Sequence, residues 1–290
     1  MSVPERQSKN QRREHAREQA RLLREKEKAR QRRNRFFLQG GIGLAVIAII
    51  AIVAVVIVNS NRPLVTTASG PANMLSDGIL LTGSAGATTA VTTAAIKPKA
   101  QPVATDASKY SKTANIVEYI DYQCPYCNEF ETTNQDQIAQ MVANGTATLE
   151  IHPIAILDQS SQGTRYSSRA ANAAACVAAL DPNAFLAVNK ALFANQPAEG
   201  TTGLSNQKII SIINGAGATG DALSTCINDE TYKSWVTAAT ARALAGPLPN
   251  SSVAKVSGTP TVIVSGKQYP GSLTDAATFA AFVAAQTPKS

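Results

Sequence analysis

NIVEYIDYQCPYCNEF, residues 115–130, is the stretch that decides the fold. Its first half, Asn115–Tyr122, is rich in β-branched and aromatic residues, which predicts a strand. From Cys124 to about Asn144, apolar residues recur at helical spacing, and an Asn-Gly pair ends the pattern, which predicts a helix. A strand therefore leads into a helix through two closely spaced cysteines.

Further strands and a final helix are predicted outward from this stretch. Thr148–Leu157 predicts a second strand, and Pro260–Val264 predicts a third that is followed by a Ser-Gly turn. Asp275–Gln286 predicts a closing helix capped by Thr274. Strands that alternate with helices indicate the α/β class.

An Ala-rich block separates the second and third strands. Residues 164–245 are helix-periodic and predict four helices, so the α/β unit contains a helical insertion at about 160–248. The predicted breaks are at Asp181-Pro182, at Gln196-Pro197 and near Gly215.

Two low-complexity stretches lie on the N-terminal side. Residues 59–72 and 82–109 are rich in Ala, Thr, Ser, Gly and Pro, which predicts a linker and a loop without a packed core. Between them, residues 77–81 predict a short edge strand. We expect the folded domain to span residues 73–290.

The N-terminal part predicts a membrane anchor. Residues 36–58 contain 23 residues without a charge, and such a helix spans roughly 34 Å, enough to cross a bilayer. Residues 1–35 contain 13 of the 27 Lys/Arg and 5 of the 20 Asp/Glu. This asymmetry predicts an uncleaved signal anchor with a cytoplasmic N-terminus, a lipid-embedded span and an exterior domain. Because the rest of the chain is nearly neutral, the high pI does not predict nucleic-acid binding.

Cys124 and Cys127 carry the chemistry that the sequence predicts. With Cys124 just ahead of a helix and Pro125 in its first turn, the sulfur faces unpaired backbone N–H groups and the positive helix end. Both favour the thiolate, which is the nucleophile. We therefore expect Cys124 to be solvent-accessible with a lowered pKa, and Cys127 to be shielded and able to resolve a mixed disulfide.

Other interpretations of this motif stay open at this point. A C-x-x-C pair can be half of a zinc site, but a structural site needs four ligands and the exterior part adds only Cys176, Cys226 and His152. The pair can also be an inert structural disulfide. No metal or cofactor is predicted.

YIDYQCPYC (119–127) and the later GTPTVIVSG (258–266) together resemble the DsbA-type branch of the thioredoxin superfamily, particularly its membrane-anchored actinobacterial members. The resemblance implies a thioredoxin-like fold over about 73–290. It implies that Pro260 is a cis-proline beside the active site, and that Pro125, Tyr126 and Thr259 contact the substrate. It also implies buried acids at Glu118 and Glu131, of which one is able to shuttle the proton of the resolving thiol.

Cys176 and Cys226 fall on separate predicted helices of the insertion. We assign them to a structural disulfide, with two free buried cysteines as the alternative. His152 and Trp235 are assigned to structure rather than catalysis.

The predicted function is the donation of disulfides to reduced exported polypeptides. The resemblance implies a membrane quinone-linked reoxidase of the DsbB or vitamin-K-epoxide-reductase type as partner. The Pro-Tyr dipeptide, which also occurs in glutaredoxin-like reductases, leaves a reductase or isomerase as one alternative. A non-catalytic envelope binding module with the same fold is the other.

Overall fold

Six strands form one mixed sheet in the part of the chain that the computed structural model describes, residues 66–287. The sheet order is β2-β1-β4-β3-β5-β6, with β3 parallel to β4 and every other pair antiparallel. The strands are β1 (Ile79–Ser84), β2 (Ala87–Ala90), β3 (Ala114–Ile120), β4 (Ala147–Pro153), β5 (Thr261–Val264) and β6 (Lys267–Gln268).

The predicted basic tail (1–35) and the predicted membrane helix (36–58) lie outside the described residues. Within residues 66–287, no helix is both long enough and apolar enough to cross a bilayer.

Seven α-helices accompany this sheet in residues 66–287, five of them between β4 and β5. They are α1 (Pro125–Ala143), α2 (Tyr166–Leu180), α3 (Phe185–Ala194), α4 (Asn206–Gly215), α5 (Asp221–Asn228), α6 (Lys233–Ala245) and α7 (Ala276–Gln286). The prediction of four helices in the insertion is wrong because the chain turns between α5 and α6, where Glu230 has a left-handed φ of 48°. No glycine or proline marks that turn.

The predicted loop at 82–109 contains a strand, and the predicted edge strand is not at the edge. β1 and β2 form a hairpin whose turn places Ala85 and Gly86 at positive φ, so β2 is the outer strand. At the other end of the chain, Asp275 rather than Thr274 caps α7, because its carboxylate accepts the Thr278 backbone N–H at 3.0 Å.

Alternate residues of β3 face two different cores, as the two-residue period of a strand requires. Ile120 belongs to the core cluster that contains Phe130 of α1 and Phe279 of α7, whose rings meet edge to face with centroids 5.1 Å apart. Tyr119 belongs to a second cluster. Glu118, two residues before Ile120, therefore directs its carboxyl group into the core under α1.

Candidate active site

Cys124 and Cys127 lie at the start of α1, directly after the inner strand β3. Cys124 is the N-cap residue and Pro125 occupies the first turn. A residue that precedes proline disfavours the helical conformation, and proline at the first turn loses no hydrogen bond, so the sequence itself begins the helix here. Both thiols are free, and each shifts the pKa of the other.

The structure corrects the expected accessibility of Cys124. Its relative exposure is only 4%, and Cys127 is fully buried. The Cys124 thiol donates a hydrogen bond to the Thr259 carbonyl oxygen at 3.1 Å, so the loop before β5 covers it. Pro125 and Tyr126, the latter with 57% exposure, are the residues that the motif presents to solvent.

The two thiols differ in acidity. The pKa of Cys124 is lowered by the hydrogen bond from the Cys127 thiol, by Thr259 and by the Cys127 backbone N–H, against opposing desolvation and the Asp121 charge. The pKa of Cys127 is raised well above its ordinary value, first by burial and then by Cys124. Cys124 is therefore the more acidic thiol of the pair and the more readily ionised, and Cys127 is the less acidic one.

Thr259 and Pro260 border the cysteines from the opposite side. The peptide bond between them is cis. Besides the carbonyl oxygen that accepts from Cys124, Thr259 has a buried hydroxyl group. Among residues 66–287 this hydroxyl has no hydrogen-bond partner at ordinary geometry, yet it lies close enough to lower the pKa of both thiols. A hydroxyl beside a sulfur stabilises the thiolate by donating its proton.

Glu118 and Glu131 form a buried carboxyl pair. They are 1% and 3% exposed, and they lie close enough that each shifts the pKa of the other. Burial, together with the neighbouring Glu131, raises the pKa of Glu118 well above its ordinary value. Burial raises the pKa of Glu131 to about 7, opposed by hydrogen bonds from Asn189 and Glu118. Two close carboxyl groups without a cation cannot both ionise easily, so the pair holds a proton near neutral pH.

Gln196 holds the active-site loop and was missed by sequence reasoning. Its Nε2 donates to the carbonyl oxygens of Tyr122 (3.1 Å) and Cys124 (2.9 Å), and its Oε1 accepts from Asn128 at 3.1 Å. The sequence indicated Gln196-Pro197 only as a helix break. A glutamine at such a break has no local pattern that reveals a contact across 72 residues.

Asp121 is a second residue that the sequence did not reveal. Its fully buried carboxylate accepts the backbone N–H groups of Gln123 (2.9 Å), Ile156 (2.8 Å) and Leu157 (2.9 Å). It therefore ties the end of β3 to the chain that follows β4. Burial, opposed by these hydrogen bonds, raises the pKa of Asp121 to about 6.

The remaining predicted residues lie away from the thiols. Cys176 of α2 is bonded to Cys226 of α5. His152 stacks on Tyr119 with ring centroids 4.4 Å apart and lies 3.2 Å from a Glu150 oxygen. Those two rings line a cavity of about 330 Å³ to which no cysteine contributes. Across residues 66–287, no group of three or more His, Cys, Asp or Glu is arranged to hold a metal ion.

Comparison with known families assigns the chain. Residues 110–284, more than half of the sequence, match the family model described as Thioredoxin, and the chain belongs to that family. The mixed α/β fold is accordingly thioredoxin-like. Among curated proteins, none has a sequence that matches this one.

Solved structures refine the assignment. The reduced form of the disulfide bond oxidoreductase DsbG from Mycobacterium tuberculosis is 30% identical, with a TM-score of 0.54 over 73% of this chain and 89% of that one. Reduced DsbA from the same organism is 29% identical, with a TM-score of 0.53 over 73% of this chain and 93% of that one. MdbA from Corynebacterium diphtheriae, at 16% identity and a TM-score of 0.52, shares the fold over 79% of this chain and 100% of that one. The predicted resemblance is confirmed: this chain is a thiol–disulfide oxidoreductase of the DsbA type.

Proposed function

We propose that this protein donates disulfides to exported polypeptides through Cys124 and Cys127. The observation that carries the proposal is the difference between the two thiols. Cys124, at the helix start, has a lowered pKa, and Cys127, beneath it, has a raised pKa. Once a substrate is joined to Cys124 in a mixed disulfide, Cys124 is a good leaving thiolate, so the disulfide passes readily to the substrate.

The exchange proceeds in two balanced steps. A substrate thiolate attacks the sulfur of Cys124, which forms a mixed disulfide and expels Cys127 as a thiolate. A second substrate thiolate then attacks the substrate sulfur, which forms the substrate disulfide and releases Cys124 as a thiolate. The substrate loses two electrons and the cysteine pair gains them.

The carboxyl pair supplies the proton that Cys127 needs. A buried thiolate with a raised pKa takes up a proton as soon as it forms. Glu131 lies one helical turn beyond Cys127 on the same face of α1, and its pKa of about 7 suits proton transfer in either direction at neutral pH.

The substrate reaches the site over Tyr126 and Thr259. Tyr126 is the exposed aromatic residue at the tip of the motif. When Cys124 enters a mixed disulfide it loses its proton, so the Thr259 carbonyl oxygen that accepted from it becomes available to a backbone N–H of an extended substrate. Pro125 and Pro260 shape the two walls between which that segment lies.

Direction is tested by equilibrating the full chain with glutathione buffers and titrating the Cys124–Cys127 disulfide against the unreactive Cys176–Cys226 bond by mass spectrometry. A disulfide donor is reduced at a potential well above that of structural disulfides and above the thioredoxin value of about −270 mV. A potential at or below that value assigns the chain to the reductase alternative.

We also propose that residues 36–58 anchor the protein in the cell membrane with the catalytic domain outside. The uncharged span and the 13 basic residues before it support this orientation. A membrane quinone-linked reoxidase would then be the oxidising partner. A reporter that works only outside the cytoplasm, fused after Ser290, is expected to be active; activity of a cytoplasm-dependent reporter there overturns the orientation.

A further inference from the structure

Asn189 joins the helical insertion to the carboxyl pair under the thiols. It lies on α3 with 1% exposure. Its Nδ2 donates to Glu131 Oε2 at 3.2 Å, and its Oδ1 accepts from the Tyr122 hydroxyl at 2.9 Å. One amide therefore contacts the active-site helix and the loop between β3 and that helix.

The Tyr122 hydroxyl fixes the orientation of this amide. Tyr122 is fully buried, and a buried phenol normally donates its proton to an acceptor. Among the described contacts, its acceptor is the amide oxygen of Asn189, so the amide nitrogen must face Glu131.

An N–H group that points at one carboxyl of a pair distinguishes the two members. A donated hydrogen bond favours the ionised form of the acceptor. Glu131 accepts this bond on Oε2, whereas no N–H group in the described part of the chain donates to Glu118; the Oε1 atoms of both carboxyl groups are without a hydrogen-bond partner there. Glu118 thus keeps its proton, which it shares with the Glu131 carboxylate only through a hydrogen bond.

Other titratable groups around the carboxyl pair do not determine which of its two members is ionised. Those that face it are Tyr122 beyond β3, Cys127 on α1 and Tyr166 on α2, the last through Tyr122. Burial raises the pKa of Tyr122 and Cys127 well above their ordinary values, and that of Tyr166 also rises. All three are therefore uncharged near neutral pH and bias neither carboxyl group.

We propose that Asn189 is a positioning residue that makes Glu131 the member of the pair that exchanges a proton with Cys127, while Glu118 retains its own. The inference rests on the proposed proton transfer and adds the residue that directs it. In the resolving step, Cys127 gives its proton to the Glu131 carboxylate and attacks Cys124 of a mixed disulfide. The Cys124–Cys127 bond forms as the bound thiol leaves as a thiolate.

The test follows this step in the reduced full chain with an aromatic disulfide reagent that leaves a nitrothiophenolate on Cys124. The second release of coloured thiolate reports the attack by Cys127, and its rate is measured against pH. In the wild-type chain we expect a midpoint near 7, because the pKa of Glu131 is about 7. Glu131→Gln should abolish that midpoint.

Asn189→Leu should move the midpoint upward by about one pH unit and slow the step about fivefold at pH 7, because the carboxylate loses its donor. Tyr122→Phe keeps the aromatic ring but removes the hydroxyl that orients the Asn189 amide, so it should shift the midpoint in the same direction by a smaller amount. This variant replaces Asn189→Leu in the test if the leucine variant does not fold. In a Glu131→Gln background, Asn189→Leu should have no further effect on the pH profile.

Asn172→Leu is the matched control. Asn172 is also 1% exposed in the insertion, but its amide contacts Cys176 and the Tyr232 backbone N–H. It should lower stability without moving the midpoint. Unshifted midpoints in folded Asn189→Leu and Tyr122→Phe, with a normal wild-type profile, overturn this inference alone. A wild-type profile that does not change with Glu131→Gln overturns the proton transfer of the proposed function as well.

Discussion

The two cysteine pairs of the described region can undergo the same thiol–disulfide chemistry, but they lie in different surroundings. Cys124 and Cys127 are free thiols at a helix start, beside Thr259 and above two carboxyl groups. Cys176 and Cys226 are bonded across two helices of the insertion, and the α2 segment around Cys176 consists largely of buried alanines. Reactivity therefore follows from the hydrogen-bond donors and charges around a sulfur, which make one thiolate stable and leave the other pair inert.

Replacing cysteines of one pair or of the other gives the largest expected difference in activity. Cys124→Ser should abolish thiol–disulfide exchange, because the attacked sulfur is lost, and Cys127→Ser should leave substrates trapped as mixed disulfides. The combined Cys176→Ser and Cys226→Ser variant should retain exchange. Gel analysis under non-reducing conditions and a thiol-oxidation assay measure both outcomes. Retained exchange in Cys124→Ser would show that another sulfur is the nucleophile.

The stability of the fold, unlike the exchange activity, should depend on the Cys176–Cys226 pair much more than on Cys124. The Cys176–Cys226 bond closes a loop of 50 residues, for which the chain-entropy relation gives about 4 kcal/mol. Replacing both residues by alanine should lower the free energy of unfolding by roughly that amount, as measured by urea denaturation. Replacing reduced Cys124 by alanine is the control and should change stability much less. Equal losses at the two sites would remove the distinction between a structural and a reactive pair.

The buried carboxyl pair should also make the stability of the active-site region depend on pH. Glu131 has a folded-state pKa of about 7, above its ordinary value of 4.5, because it is buried. Its favourable contribution is therefore fully present below about pH 4.5 and is lost as pH rises through 7. Glu131→Gln should gain on the order of 2 kcal/mol relative to wild type between pH 5 and pH 8. Glu129→Gln, an exposed position on the same helix, should gain nothing. Parallel pH curves for wild type and Glu131→Gln would contradict the burial argument.

The smallest expected effect concerns the loop that holds Cys124. Gln196→Leu removes the donor to two backbone carbonyl oxygens and should lower stability by about 1–3 kcal/mol, with exchange several-fold slower. Gln137→Leu is the matched control, because Gln137 donates to the Ala276 carbonyl oxygen away from the thiols. Thermal unfolding and the exchange rate separate the two variants. A normal exchange rate in Gln196→Leu would mean that the loop keeps its shape without the clamp.

Local pattern predicted much of the fold and the reactive motif. The β3–α1 junction follows from β-branched residues, a proline and helical periodicity, all of which lie within thirty residues of one another along the chain. The β1–β2 hairpin was missed because Ala-Thr-Thr-Ala becomes a strand only when it pairs with β1.

The polar contacts that support the site could not be predicted from local sequence pattern, for a related reason. Gln196 and Asn189 contact residues 58–74 positions away, and a buried amide on a helix looks the same in sequence as an exposed one. The burial of Glu118 and Glu131 came from the family resemblance, and the structure supplied the Asn189 contact that tells them apart.

Scanning calorimetry of the two redox forms tests the central claim most directly. If the fold lowers the pKa of Cys124, folding stabilises the reduced state. This contribution is fully present above the ordinary thiol pKa and is lost as pH falls through the lowered one. Linkage then requires that the Cys124–Cys127 disulfide destabilise the fold relative to the dithiol. Both forms are measured at a pH of about 7.5, with the Cys176–Cys226 bond intact. The form with Cys124 and Cys127 reduced should melt at a higher temperature than the oxidised form. A clearly higher Tm for the oxidised form would contradict the account and identify the protein as a reductase.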